Sequence, residues 1–366
     1  MVTTDVHARV AVRDDLRALA GYHSAQVDVD VRLNTNESPY PPPDSWRSEL
    51  AAELANIDWH RYPDRNAAEL RRAIAVWHGV EAAQVFAANG SNEVLQTVLL
   101  AYAGAGRTVA TFEPTYQLHA HIARLTGATV VSGERAPDFR LDVSEIDRIV
   151  DACEPSVTFL CSPNNPTGLV EPRANVDRLL STSAGLVVVD EAYAQFADWT
   201  ALDLVEEAVP LAVVRTFSKT WSMAAARLGY LIAPSWVVAE LDEVVLPYHL
   251  DAVTQLAGRL ALRHIDEMGE RVAHIVAERE RVARNLGSLE VTVVPSGANF
   301  ILFRALDRRG DAVWQGLVER GVLVRDCSSW RRLDGCLRVT IGTPDENDRF
   351  LAALADVLAD AGGSAR

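Results

Sequence analysis

RTFSKTWSMAAARLGYL, residues 215 to 231, contains the only lysine of a 366-residue chain in which lysine and arginine together number 35. Arginine serves most surface roles of lysine, including solvation, ion pairing and anion binding, but its guanidinium stays protonated and offers no nucleophilic amine. A lysine amine can lose its proton to its surroundings and condense with a carbonyl. Lys219 is therefore either a surface residue left over in an arginine-rich composition or an amine kept for covalent chemistry. On either side lie apolar runs, LAVVRTFS (211 to 218) and RLGYLIA (227 to 233), which read as short buried strands with the lysine between them.

The same pattern extends outward. TVATFE (108 to 113), VTFLCS (157 to 162) and LVVVDE (186 to 191) are further buried strands, and helical patterns such as EVLQTVLLAYAG (93 to 104) and VSEIDRIVDAC (143 to 153) lie between them. Continuous apolar strands alternating with helices predict an α/β fold with a mostly parallel sheet covered on both faces. After residue 250 the pattern changes to one long helical stretch (251 to 286). Strands follow at EVTVVP (290 to 295), NFILF (299 to 303), VLVRD (322 to 326) and CLRVTIG (336 to 342), then a last helix from about Asp345. The division predicted is a large domain at 46–255 and a smaller α+β domain at 256–366, with residues 1–45 packing against the smaller one. PYPPPD (39 to 44) is a short stiff connector.

Composition narrows the class. A hydrophobic share of 49% and a charged share of 23% describe a folded globular protein. No apolar run approaches the roughly 18 residues of a membrane span, and the first residues lack the apolar core of a secretory signal, so the expected location is cytoplasmic. Cys153, Cys161, Cys327 and Cys336 lack metal-site spacing and read as reduced thiols, with no metal implied. The net charge of −15 argues against nucleic acid as a partner.

Parallel sheets carry functional groups at the carboxyl ends of their strands. AANGSNEVLQ (87 to 96) opens a helix with a small-residue turn, Gly90-Ser91-Asn92, which suits a phosphate but equally an ordinary helix cap. CSPNNPTG (161 to 168) follows a strand and carries Asn165 in a proline-stiffened loop. VVVDEAY (187 to 193) ends a strand with Asp190 and places Tyr193 three residues on. Singly, each could be a turn or a core residue. Their order, Asn165, Asp190, Tyr193, Lys219, Arg227, is more specific.

NGSNE, SPNNPTG, DEAY and SKTWSMAAARLGY together resemble the fold-type I pyridoxal-phosphate aminotransferases, in the order and spacing of that family and over nearly the whole chain. The resemblance implies pyridoxal 5'-phosphate as cofactor, with Lys219 bonded to its aldehyde and then serving as the base that moves the proton at the substrate's α-carbon. It implies that Asp190 pairs with the pyridine nitrogen, that Asn165 and Tyr193 hydrogen-bond the ring's phenolic oxygen, and that Ser91, Asn92, Ser218 and Arg227 hold the phosphate. Tyr116, in EPTYQLH, matches an aromatic residue that stacks on the cofactor ring. Tyr62, in RYPD, matches a tyrosine that reaches the cofactor phosphate of the other subunit, which implies a homodimer with a composite active site. Arg338 matches the arginine that takes the substrate's carboxylate, and Asn165 also borders the substrate.

Within the family, VRLNTNESPYPPP (31 to 43) and the spacing of Arg325 and Arg338 resemble the branch that acts on histidinol phosphate. That branch implies Arg325 and Arg338 on a substrate phosphate, Tyr22 closing over the substrate, and 2-oxoglutarate as amino acceptor. Two alternatives stay open: an aromatic amino acid as donor, and decarboxylation of a phosphorylated amino acid. Thr220-Trp221 departs from the small or phenylalanine-containing pair of many relatives. A nicotinamide dehydrogenase is disfavoured because GAGRTV (104 to 109) precedes a strand instead of joining strand to helix. A transcriptional regulator is disfavoured by the lack of an added DNA-binding region or basic face.

Overall fold

The computed structural model describes residues 12–17, 19, 21 and 25–360, so Tyr22 lies outside the described residues. A first strand, β1 (Val31–Leu33), is followed by helices α1 (Asp44–Leu54) and α2 (Ala68–His78). The central run is β2 (Val85–Ala88), α3 (Gly90–Tyr102), β3 (Thr108–Glu113), α4 (Gln117–Leu125), β4 (Thr129–Glu134), α5 (Val143–Cys153), β5 (Val157–Cys161), α6 (Arg173–Thr182), β6 (Leu186–Asp190), β7 (Leu211–Thr216) and β8 (Gly229–Ile232). Helices α7 (Ser235–Val244), α8 (Ala252–Ala261) and α9 (Ile265–Leu286) follow. The last part is β9 (Val291–Val293), β10 (Phe300–Ala305), α10 (Gly310–Glu319), β11 (Val322–Asp326), β12 (Cys336–Thr340) and α11 (Pro344–Ala359).

Seven strands form one sheet in the order β2-β8-β7-β6-β5-β3-β4. Neighbours from β4 through β7 are parallel, while β8 runs antiparallel to both β7 and β2. The reversal occurs because β7 joins β8 through the Lys219 turn with no crossover helix, so the chain returns beside the strand it has just left. Every residue of β5, β6 and β7 is buried. Side chains alternate between the faces: Val188, Ala212 and Val214 pack with α3 and α7, and Val187, Val189 and Val213 pack with α5 and α6. Removing a valine of this kind from water is worth about 1.5 to 3 kcal/mol, so the strands are held firmly and their ends make a stable base for a site.

The second sheet has the order β1-β11-β12-β10-β9, with β1 parallel to β11 and the other pairs antiparallel. The early strand thus joins a sheet built from the end of the chain. Arg325 and Arg338 stand directly opposite one another across β11 and β12, on one face.

The continuous helix expected over 251 to 286 is two helices, parted at Leu262–His264. The apolar period runs through the break, but the faces serve different cores. Leu256, Ala257 and Leu260 of α8 pack with Trp46, Leu70 and Tyr230, whereas Ile275, Val282 and Leu286 of α9 pack under the second sheet. The chain has to turn between them, and the boundary expected at 255/256 falls inside α8. Strands β1, β2 and β4 went unread in the sequence because two are very short and β4, TVVSGE, is only partly buried. Among the described residues no helix is long and apolar enough to cross a membrane.

Candidate active site

Lys219 lies in the turn after β7, part-buried, its Nζ donating to the Thr35 carbonyl at 3.1 Å. Burial lowers its pKa to about 7, helped by the Arg338 and Arg227 cations and opposed by Glu37. A substantial share of the amine is therefore neutral and nucleophilic near neutral pH.

Asp190 ends β6 and is 2 % exposed. Its Oδ2 lies 2.9 Å from His119 Nε2, and its Oδ1 accepts from the Ala192 backbone N–H at 3.1 Å. His119 reaches this carboxylate from α4, fully buried and stacked on Phe159 with ring centres 4.6 Å apart. Tyr116, at the start of the same helix, donates its hydroxyl to Asn92 Oδ1 at 3.2 Å. Tyr193 accepts from Asn36 Nδ2 at 2.9 Å, and burial pushes its phenol pKa up. Arg338 Nη1 donates to Asn165 Oδ1 at 2.5 Å and its Nη2 to the Asn34 carbonyl at 3.0 Å. Asn164 binds the loop after β5 to the loop after β3, accepting from Thr115 Oγ1 and donating to the Pro114 carbonyl.

An anion-binding corner lies at the start of α3. The helix N-cap, Asn89, makes no side-chain capping bond to it; instead the Asn89 side chain donates to Glu93 and to the His249 carbonyl. The N–H groups of the first turn therefore face outward without help from that cap. Two glycines permit the approach of neighbouring parts. A Cβ on Gly229 would stand 2.2 Å from the Ser91 nitrogen, and one on Gly90, where φ is +76°, would stand 2.6 Å from Arg227 Nη2. Arg227 Nη1 reaches Ser218 Oγ at 3.4 Å, and Ser218 in turn meets Thr216 Oγ1 at 3.0 Å. Helix N-terminus, guanidinium and hydroxyls converge as a phosphate dianion requires.

These groups line one cavity of ≈ 410 Å³. Of the residues singled out in the sequence, Ser91, Asn92, Tyr116, Asn165 and Asp190 line it. So do Tyr193, Ser218, Lys219, Arg227 and Arg338. Tyr62 does not: it is exposed, stacked on Tyr248 with ring centres 4.5 Å apart. Arg325 is buried beside Trp330 and is not in the lining, although it is the cross-strand partner of Arg338. Trp221 packs between Phe217 and Trp77 and does not reach the cavity, so the departure at 220–221 is a matter of core packing. Tyr248, with φ of 60°, stacks on Tyr62, and His249 Nε2 lies 2.9 Å from the Ala87 carbonyl. Sequence reading missed Asn36, Glu37 and His119. The only signal for His119 was its place three residues after Tyr116, on the same helix face.

The arrangement fits pyridoxal phosphate. A part-buried lysine of lowered pKa can meet an aldehyde, a carboxylate backed by a histidine can meet a ring nitrogen, and the glycine-cleared corner can take a phosphate. Residues 28–354 match the family model described as aminotransferase class I and II. The histidinol-phosphate aminotransferase of Frankia casuarinae is 45% identical over 363 residues, covering 95% of this chain and 90% of that protein. That of Thermobifida fusca is 45% identical over 352 residues, covering 94% of each. The solved histidinol-phosphate aminotransferase of Sinorhizobium meliloti, in complex with pyridoxal 5'-phosphate, superposes with a TM-score of 0.82 at 23% identity, over 91% of this chain and 92% of that one, a likeness of fold. With a match over most of its length and relatives well above the threshold of chance, this chain belongs to the class I and II aminotransferases, a family of pyridoxal-phosphate-dependent enzymes.

Proposed function

We propose that the protein moves an amino group between L-histidinol phosphate and a 2-oxo acid, 2-oxoglutarate being the expected acceptor. The observation that carries this reading is the run of relatives bearing the name histidinol-phosphate aminotransferase, 40% to 45% identical across about 95% of the chain. The arginine pair supports it. Histidinol phosphate has no carboxylate, so the arginine other donors use for that group is available to a phosphate dianion, for which charge-assisted bonds from Arg338 and positive charge from Arg325 are suited.

Bound in the cavity, pyridoxal phosphate supplies an aldehyde for amines and a ring that takes up the electrons left at the substrate's α-carbon. Asp190 would hold its ring nitrogen, with His119 fixing the carboxylate. Asn165 and Tyr193 would meet its phenolic oxygen, Tyr116 would stack on its ring, and Ser91, Asn92, Ser218 and Arg227 would hold its phosphate. Lys219, whose amine lies in the same cavity, would take the proton from the amine-bearing carbon of the donor and return it to the carbon that joins donor nitrogen and cofactor ring, serving as base and then as acid. Arg338 orients the donor while its other bonds, to Asn34 and Asn165, keep the guanidinium in one plane.

The working unit in this reading is a cytoplasmic homodimer. Exposed Trp59, Tyr62 and Leu246 supply apolar surface for a partner, and Tyr62 would reach the partner's cofactor phosphate. The domains in this reading are a cofactor-binding part from residue 46 through α8 and a smaller part from α9 through α11, whose sheet β1 joins. The test is to mix cofactor-loaded protein with L-histidinol phosphate or L-phenylalanine, without keto acid, and follow the cofactor's visible absorbance. Fast loss at low histidinol phosphate and slow loss with phenylalanine is the expected result; the reverse order would make the protein an aromatic aminotransferase.

A further inference from the structure

The cavity lining contains two carboxylates, and they differ in state. Asp190 is occupied by His119 and the Ala192 N–H. Glu37 lines the same cavity, is exposed at its mouth, and makes no hydrogen bond or ion pair among the described residues.

Its backbone, unlike its side chain, is tied on both sides. The Asn36 N–H donates to Thr340 Oγ1 at 3.0 Å, Asn36 Nδ2 donates to Tyr193, and the Asn36 carbonyl accepts from Asn299 Nδ2 at 3.2 Å. On the other side, Ser38 Oγ accepts from Ser222 Oγ at 2.9 Å. Asn36 has φ of 55°, a left-handed conformation that the surrounding bonds stabilise. The backbone from which the Glu37 carboxylate extends is therefore held at a defined place.

That place is set relative to Arg338. The guanidinium is anchored on the Asn34 carbonyl, three residues before Glu37. Three residues span at most about 10 Å when extended, and the turn at Asn36 shortens this. A short strap thus carries the anchor of a cation at one end and a free anion at the other. A molecule joining an anionic group to a hydrogen-bond donor through a few carbons matches that polarity. A phenyl ring does not, since covering the carboxylate with carbon removes its water and returns no bond.

We propose that Glu37 is the specificity-determining residue for the donor's ring, accepting the N–H of an azole such as imidazole while Arg338 holds the anionic end. This assignment rests on the histidinol phosphate reading and adds to it the group that separates imidazole from phenyl.

The experiment compares wild-type, Glu37→Gln and Glu37→Ala holoenzymes in the donor half-reaction, each with L-histidinol phosphate, L-glutamate and L-phenylalanine. The concentration of histidinol phosphate for half-maximal rate rises about tenfold in Glu37→Ala, as for loss of one hydrogen bond to a charged group, and shifts by less than about twofold for glutamate and phenylalanine. Glu37→Gln, which keeps a carbonyl acceptor, lies between. An equal rise for all three donors overturns the proposal, because Glu37 then acts through the charge on Lys219. No change with histidinol phosphate also overturns it. Wild-type protein that ignores histidinol phosphate overturns the donor reading itself, a failure visible before any variant is made.

Discussion

Lys219 shows how far one side chain's chemistry depends on its surroundings. Burial and two nearby guanidiniums lower its pKa from 10.5 to about 7, while Glu37 opposes them. Above that value the amine is neutral and nucleophilic; below it the amine is protonated and inert. Condensation of pyridoxal phosphate with the cofactor-free protein is therefore predicted to speed up with pH through a midpoint near 7, not near the 10.5 of an ordinary lysine. Borohydride trapping of the product at a series of pH values measures this, and the single lysine makes the labelled side chain unambiguous. Lys219→Ala should abolish the labelling and lower turnover at least about 100-fold while cofactor still binds noncovalently. Near-normal turnover in that variant would remove the mechanism.

At the scale of elements, the site depends on strand and helix ends that meet closely. The N-terminus of α3 lies against β8 because residue 229 has no side chain, the would-be Cβ being 2.2 Å from the Ser91 nitrogen. Gly229→Ala must push α3 away from β8, a kind of overpacking that costs about 1 to 3 kcal/mol. It is predicted to weaken cofactor binding about tenfold or more, because the first-turn N–H groups move off the phosphate position. Titration of the cofactor-free variant, followed by absorbance, reads the affinity, and a thermal melt of the same sample separates it from global unfolding. Unaltered affinity would mean that α3 does not hold the phosphate. The α3 turn and the strand ends were legible because each is a short contiguous pattern of apolar run, small residue and polar group. The α8–α9 break was not, since the period of Asp251 to Leu286 is unbroken and only the presence of two separate cores makes the chain turn.

At the scale of the molecule, residues distant in sequence complete the cavity. Strand β1 crosses to pair with β11, and this brings Asn34, Thr35, Asn36 and Glu37 over the turn that carries Lys219. A second subunit adds to this in our reading. If each site uses Lys219 of one protomer and Tyr62 of the other, co-expressing Lys219→Ala with Tyr62→Ala chains gives mixed dimers with one wild-type site and one doubly altered site. Random pairing predicts recovery of about a quarter of wild-type activity from chains that are each impaired alone. Activity no greater than the sum of the separate variants would place Tyr62 outside the site.

By itself the sequence singled out the lone lysine amine, the order of the groups around it and the alternating α/β pattern, because each is written in a few adjacent residues. Tertiary structure alone decided which partners make those groups work. Asn36 and Thr340, 304 residues apart, bond each other, and Asn36 then bonds Tyr193. His119 backs Asp190, Asn34 and Asn165 hold Arg338, and Glu37 lines the cavity with no hydrogen bond or ion pair among the described residues. Such contacts arise only when two sheets pack together, and no local pattern of residue types specifies them.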